Sequence, residues 1–148
     1  MIPHNWHMKT IFLDFDGVGH STFPKHMDER FMQFHLLTEC LKSHKRKCEV
    51  VISSSWRHTH SIQEMVQLLP SGLGELVVNV TGPAFIGAYA RFMEISRYVK
   101  DYGVTDWIAL DDSSWEFPKN CPNLIACNPR MGLQSAQVEL IEKWLKGQ

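Results

Sequence analysis

Asp14 and Asp16 stand two residues apart, just after an apolar run and just before Gly17. Much further along, Asp111 and Asp112 sit side by side after another apolar run, and between the two pairs Ser53, Ser54 and Ser55 close a third. Carboxylates held close together repel, and burying one without a partner is costly, so four of them at one place invite a divalent cation. No Cys-x-x-Cys pair accompanies them, and a set of carboxylates, a carbonyl and water suits Mg²⁺ better than zinc. With such an ion beside it, one carboxylate can attack a phosphorus atom. A second, two residues on, can then exchange a proton with the departing or incoming oxygen.

Those groups are useful only if the fold brings them together, and the pattern between them says how. Residues 9–16, 49–53, 75–80, 106–111 and 124–127 are short, apolar and rich in β-favouring side chains, as buried parallel strands are. Helical spacing fills the intervals. Phe31, Met32, Phe34, Leu36, Leu37 and Leu41 predict a helix over 28–43. Ser61 with Glu64 has capping-box spacing and opens a helix through Leu69 that Pro70 and Gly72 stop. Phe92, Ile95 and Val99 mark one face of a helix over 88–102 ended by Gly103, and Ser135 caps a last helix with Val138, Ile141, Trp144 and Leu145 inward. Alternating strands and helices imply a parallel sheet covered on both faces, a three-layer α/β/α architecture in one domain over 1–148. In such sheets ligands bind beyond the carboxyl ends of the strands, where Asp14, Asp16, Ser53, Thr81, Asp111 and Asp112 all fall.

Composition narrows the classes further. Fifteen Lys and Arg against sixteen Asp and Glu leave a formal charge of −1, and 44% apolar with 21% charged residues is an ordinary globular balance. That argues against disorder and against a strongly basic nucleic-acid arm. The apolar runs are too short to cross a membrane, and Asp14 and Asp16 interrupt the first of them too early for a signal peptide. A cytoplasmic protein is expected, with Cys40, Cys48, Cys121 and Cys127 reduced and structural.

The segment Ile11-Phe-Leu-Asp14-Phe-Asp16-Gly17-Val18 resembles the first motif of the haloacid dehalogenase (HAD) superfamily. Val50-Val-Ile-Ser53 resembles its second motif and Ile108-Ala-Leu-Asp111-Asp112 its fourth. Ser53-Ser-Ser-Trp-Arg57 and Arg91-Phe-Met-Glu-Ile95 are similar to the subgroup associated with Swiss Army Knife RNA repair proteins. The resemblance implies a Rossmann-like, five-stranded HAD fold and a phosphatase working through an aspartyl phosphate. Asp14 would be the nucleophile and Asp16 the acid and then the base. Asp14, the backbone carbonyl of Asp16 and Asp111 would hold Mg²⁺, with Asp112 behind them or as an alternate ligand. Ser53 and Arg91 would contact the phosphoryl group, ahead of Arg97 and Lys100 for the basic role. Gly17, the backbone N–H of Ser54 and Arg57 complete the expected substrate contacts, although Arg57 could instead pair with Asp111 or Asp112.

Neither position where HAD enzymes carry a cap has room for a large insertion, so an open site is expected. Without a lid, a macromolecule can serve as its own cover, which favours a phosphorylated end of RNA or DNA over a small substrate. Lys25, Arg57, His58 and the run 44–47 are candidate strand contacts. The alternatives are a non-catalytic phosphate- or partner-binding module and a phosphatase of small nucleotides or sugar phosphates. Plainer roles suffice for Ser55 as a turn or cap residue, for Trp56 as core or rim, and for the histidine pairs His4/His7 and His58/His60 as surface residues. A receiver domain is excluded by the order of its acids along the chain.

Overall fold

In a computed structural model of the chain, residues 8–21 and 31–148 are described. Five strands form one parallel sheet: β1 (Lys9–Leu13), β2 (Cys48–Ile52), β3 (Val77–Val80), β4 (Trp107–Asp111) and β5 (Leu124–Ala126). Their order across the sheet is β3-β2-β1-β4-β5, which puts β1 at the centre with β2 and β4 as its neighbours. The helices are α1 (Phe34–Leu41), α2 (Ile62–Leu68), α3 (Ser71–Gly74), α4 (Ala90–Tyr102) and α5 (Ser135–Leu145). This is the expected α/β/α arrangement.

Because strand side chains alternate between faces, the central strands feed two separate cores. Ile11, Leu13, Val50, Ile52, Ile108 and Leu110 pack on one face with Phe34, Leu37, Met65, Leu73, Ile141 and Leu145 from the helices. Phe12, Val51 and Ala109 point the other way, under Ile95 and Tyr98 of α4 and Phe117. β3 forms an edge, and Val78 on it is 55% exposed.

Several boundaries differ from expectation for identifiable reasons. The strands stop at Leu13 and Ile52, so Asp14, Asp16 and Ser53 lie just past the ladder rather than inside it. The first helix begins at Phe34, after Phe31 takes a left-handed backbone with φ 66°, and Met32 and Leu36 are exposed despite their apolar spacing. The expected start near 28 lies outside the described residues. α2 carries the expected capping box, but Pro70 is followed by one further helical turn, α3, before β3. The cap of α5 is Gln134 and not Ser135: the Gln134 N–H donates to Gln137 Oε1 at 3.0 Å and the Gln137 N–H to the Gln134 carbonyl, so Ser135 becomes the first helical residue.

Residues 57–80 are taken up by helices and a strand and 81–89 by a loop, and no inserted cap domain is found among the described residues. Among them, too, no helix is long and apolar enough to cross a membrane, and all four cysteines are free thiols.

Candidate active site

Strand register sets the first distance in the site. Leu13 pairs with Leu110, and the Asp14 N–H donates to the Leu110 carbonyl at 3.1 Å, so Asp14 and Asp111 leave neighbouring strands side by side. Carboxylate oxygens of Asp14, Asp111 and Asp112 all lie within 4.8 Å of one another. Arg91, in the first turn of α4, reaches back over the sheet edge. Its Nη1 donates to Asp111 at 2.6 Å and lies 3.4 Å from Asp14.

Burial raises the Asp14 carboxyl well above the usual carboxylate range, and the nearby Asp111 charge adds to this against the pull of Arg91. Burial raises Asp111 as well, again opposed by Arg91. For Arg91 itself burial works against the charge, but Asp111 and Asp14 more than offset it and hold the guanidinium protonated. Three carboxylates against one guanidinium leave two formal negative charges, the deficit one divalent cation would fill. An all-oxygen set of this kind fits Mg²⁺.

Gly17 makes the close approach possible. Its φ of 77° is left-handed, and a Cβ placed there would overlap the Asp112 carboxylate. The glycine thus lets the loop after β1 lie against the acidic pair after β4.

Asp16 is placed differently. Its carboxylate is not one of the three that cluster, and it is 45% exposed, against 7% for Asp14. Two N–H groups hold it: Trp56 Nε1 donates to Oδ2 at 3.0 Å, and His20 Nε2 lies 2.9 Å from Oδ1. The backbone N–H of Phe31 donates to His20 Nδ1 at 3.1 Å, which fixes the ring proton on Nε2 and makes His20 the donor to Asp16. Both rings are fixed by aromatic packing, with centroids 4.9 Å apart for His20–Phe31, 5.3 Å for Phe31–Trp56 and 5.7 Å for Phe15–Trp56. The result is one buried acid next to a basic group and, two residues on, a half-exposed acid aimed by its neighbours. A cavity of about 650 Å³ opens over both, lined also by Ser55, Arg91, Asp112, Trp115 and Arg130.

Residues 10–138 match the family described as the HAD domain in Swiss Army Knife RNA repair proteins. The chain belongs to this family. No curated protein and no solved structure gives a significant match.

The HAD domain brings most of the expected residues to one sheet edge. Ser53 follows β2 fully buried, and its Oγ finds no hydrogen-bond partner among the described residues; nor does Thr81 Oγ1 past β3. A buried hydroxyl normally has a partner, so an oxygen-rich ligand at this edge would answer a real deficit. Ser54 is also buried, but its Oγ accepts from the Trp56 N–H and so caps the short 3₁₀ helix Ser55–His58.

Arg57 is bonded into the scaffold. Its guanidinium donates to the carbonyls of Ser53, Ser54 and Gly82 and to Glu94, 3.0 Å away, with its side chain 3% exposed. It pairs with neither Asp111 nor Asp112, and it is not part of the cavity lining. Glu94 also accepts from the Phe85 N–H, so this pair ties the loop after β2 to α4 and to the segment before it.

Arg97 and Lys100 are exposed on α4; Arg97 lies over the Phe85 ring. The run 44–47 sits at the opposite end of the sheet from Asp14, because the Lys47 carbonyl accepts from the Lys9 N–H at the start of β1. His60 stacks on Trp56. His4, His7 and Lys25 lie outside the described residues. Sequence reasoning missed His20 and Trp56 as partners of Asp16. The only hint was that each lies close to a recognised motif.

Proposed function

We propose that this HAD domain is an Mg²⁺-dependent phosphomonoesterase acting on a terminal phosphate of nucleic acid, with an aspartyl phosphate on Asp14 as its intermediate. The observation that carries the reading is the pairing of a buried Asp14 beside Arg91 and Asp111 with a half-exposed Asp16 two residues on. Asp14 Oδ attacks phosphorus and the ester P–O bond breaks, while Asp16 gives its proton to the departing oxygen. Water then attacks the phosphorus, Asp16 takes the proton back, and phosphate leaves as the Asp14 carboxylate is restored. Arg91 offers its guanidinium to the phosphoryl oxygens, and the Ser53 hydroxyl supplies a further donor. Asp14, Asp111, Asp112 and the Asp16 carbonyl would hold Mg²⁺, which when bound offsets the negative charge of the phosphoryl group.

Two facts support a large substrate: the described residues contain no cap domain, and the family is described from RNA repair proteins. The test is phosphate release with Mg²⁺ from phosphorylated oligonucleotides, mononucleotides and sugar phosphates, by the wild type and by Asp14→Asn. Turnover on oligonucleotide ends that falls about a thousandfold or more in Asp14→Asn is the expected result. Full activity in that variant would remove Asp14 as nucleophile. Preference for the monomers would assign a metabolite instead, and no release from any substrate would leave a binding module.

A further inference from the structure

Trp115 is the most conspicuous side chain at the site that the chemistry does not use. It stands on a short 3₁₀ helix, Ser114–Glu116, immediately after the acidic pair, and it is 71% exposed. It lines the cavity over Asp14 and Asp16 and also a second cavity of about 440 Å³, so it is the residue the two share. Each cavity has a cation on its wall, Arg130 in the first and Lys119 in the second; both are exposed, and neither makes an ion pair among the described residues.

The second cavity adds another aromatic. Tyr89 lines it, half-exposed, and holds a left-handed backbone with φ 55° just ahead of α4. That conformation is unfavourable for an aromatic residue, and such outliers collect where a site needs a side chain held in one place. Leading away from the acids, the surface therefore offers an aromatic and a cation twice in succession.

We propose that these two cavities form a track for a single nucleic-acid strand whose terminal phosphate lies at Asp14. Trp115 stacks the terminal base, and Tyr89 and Lys119 receive the next nucleotide. Rings that offer a face need unstacked bases, and the two cations match the regular negative charge of the backbone, so a single strand fits and a duplex end does not. A metabolite would fill the first cavity and leave the second without a role. The track rests on the proposed phosphatase reading only for the placement of the terminal phosphate.

Binding is therefore read independently of turnover, by fluorescence anisotropy of a labelled single-stranded RNA tetranucleotide with a terminal phosphate. The wild type should bind it at least about tenfold tighter than the corresponding phosphorylated mononucleoside. Trp115→Ala and Lys119→Glu should each lose about tenfold or more, and Trp115→Phe, which keeps a stacking ring, should recover most of the loss. Trp115 and Lys119 are exposed, so circular dichroism should show these variants folded like the wild type. Equal affinity for the mononucleoside, or affinity unchanged in both variants, would overturn the track. Absence of phosphate release by the wild type would overturn the phosphatase reading alone.

Discussion

The indole Nε1–H of Trp56 donates to Asp16 Oδ2 at 3.0 Å, linking the loop after β2 to the loop after β1. With His20 on the other oxygen, Asp16 is oriented by two N–H donors. Trp56 is thus a positioning residue. Trp56→Phe keeps the ring packing and removes the N–H that aims the carboxyl, a hydrogen bond worth about 0.5–1.5 kcal/mol to the protonated acid. For alkyl phosphates, whose leaving oxygen needs a proton, kcat/KM should fall roughly threefold to tenfold. For an aryl phosphate with an acidic leaving group it should fall much less. An equal fall for both would indicate a merely structural role.

Metal affinity should depend on pH with a definite sign. Without metal, Asp14 and Asp111 titrate above their ordinary values, chiefly through burial. Between ordinary and raised values the folded chain holds more protons than the unfolded one, so stability falls as pH rises through that window. Mg²⁺ competes with those protons, and its stabilising effect should grow with pH. Thermal unfolding with and without about 10 mM Mg²⁺ should show a midpoint gain of about 5 °C or more at about pH 8 and a smaller gain at about pH 5. A gain that shrinks with rising pH would contradict the assigned ligands.

Gly17→Ala combines a left-handed backbone with an overlap against Asp112. A cost of about 1–3 kcal/mol is expected, read from the urea midpoint. Mg²⁺ affinity should weaken as well, because the relaxation displaces a ligand. Normal stability together with normal metal binding would show that the loop can yield freely.

Arg57→Ala should act on the scaffold. It removes donors from three carbonyls and leaves the buried Glu94 carboxylate with only the more distant Arg91 guanidinium, 3.7 Å away. Breaking a buried pair this way costs about 3–5 kcal/mol. Adding Glu94→Gln should recover part of that in a double-mutant cycle of denaturation midpoints. A variant as stable as the wild type, with a raised KM alone, would make Arg57 a substrate contact after all.

Where the backbone does the positioning, the sequence was readable. That Asp14, Ser53 and Asp111 share one sheet edge is legible because each stands at or just past the end of a short apolar strand, and parallel register aligns those ends. Arg91 was readable from its place at the start of α4. Arg57 was harder: its fate depended on carbonyls at 53, 54 and 82 and on Glu94, groups separated in the chain and joined only by tertiary packing. His20 and Trp56 were hidden for the same reason. Their roles depend on a knot of aromatic rings around Phe31 rather than on any spacing near Asp16. The Gln134 cap escaped because two glutamines did what Ser135 was expected to do.

Since Asp14 and Asp111 are separated by one step of a hydrogen-bonded ladder, that gap is ruled by peptide geometry and is indifferent to how the interior is repacked. Connections elsewhere can lengthen or shorten without disturbing it. A single residue inserted within β1 or β4 cannot be absorbed this way, because it turns the carboxyl to the opposite side of the pleat. The spacing of that one pair of carboxyls is therefore locked in the phase of two strands.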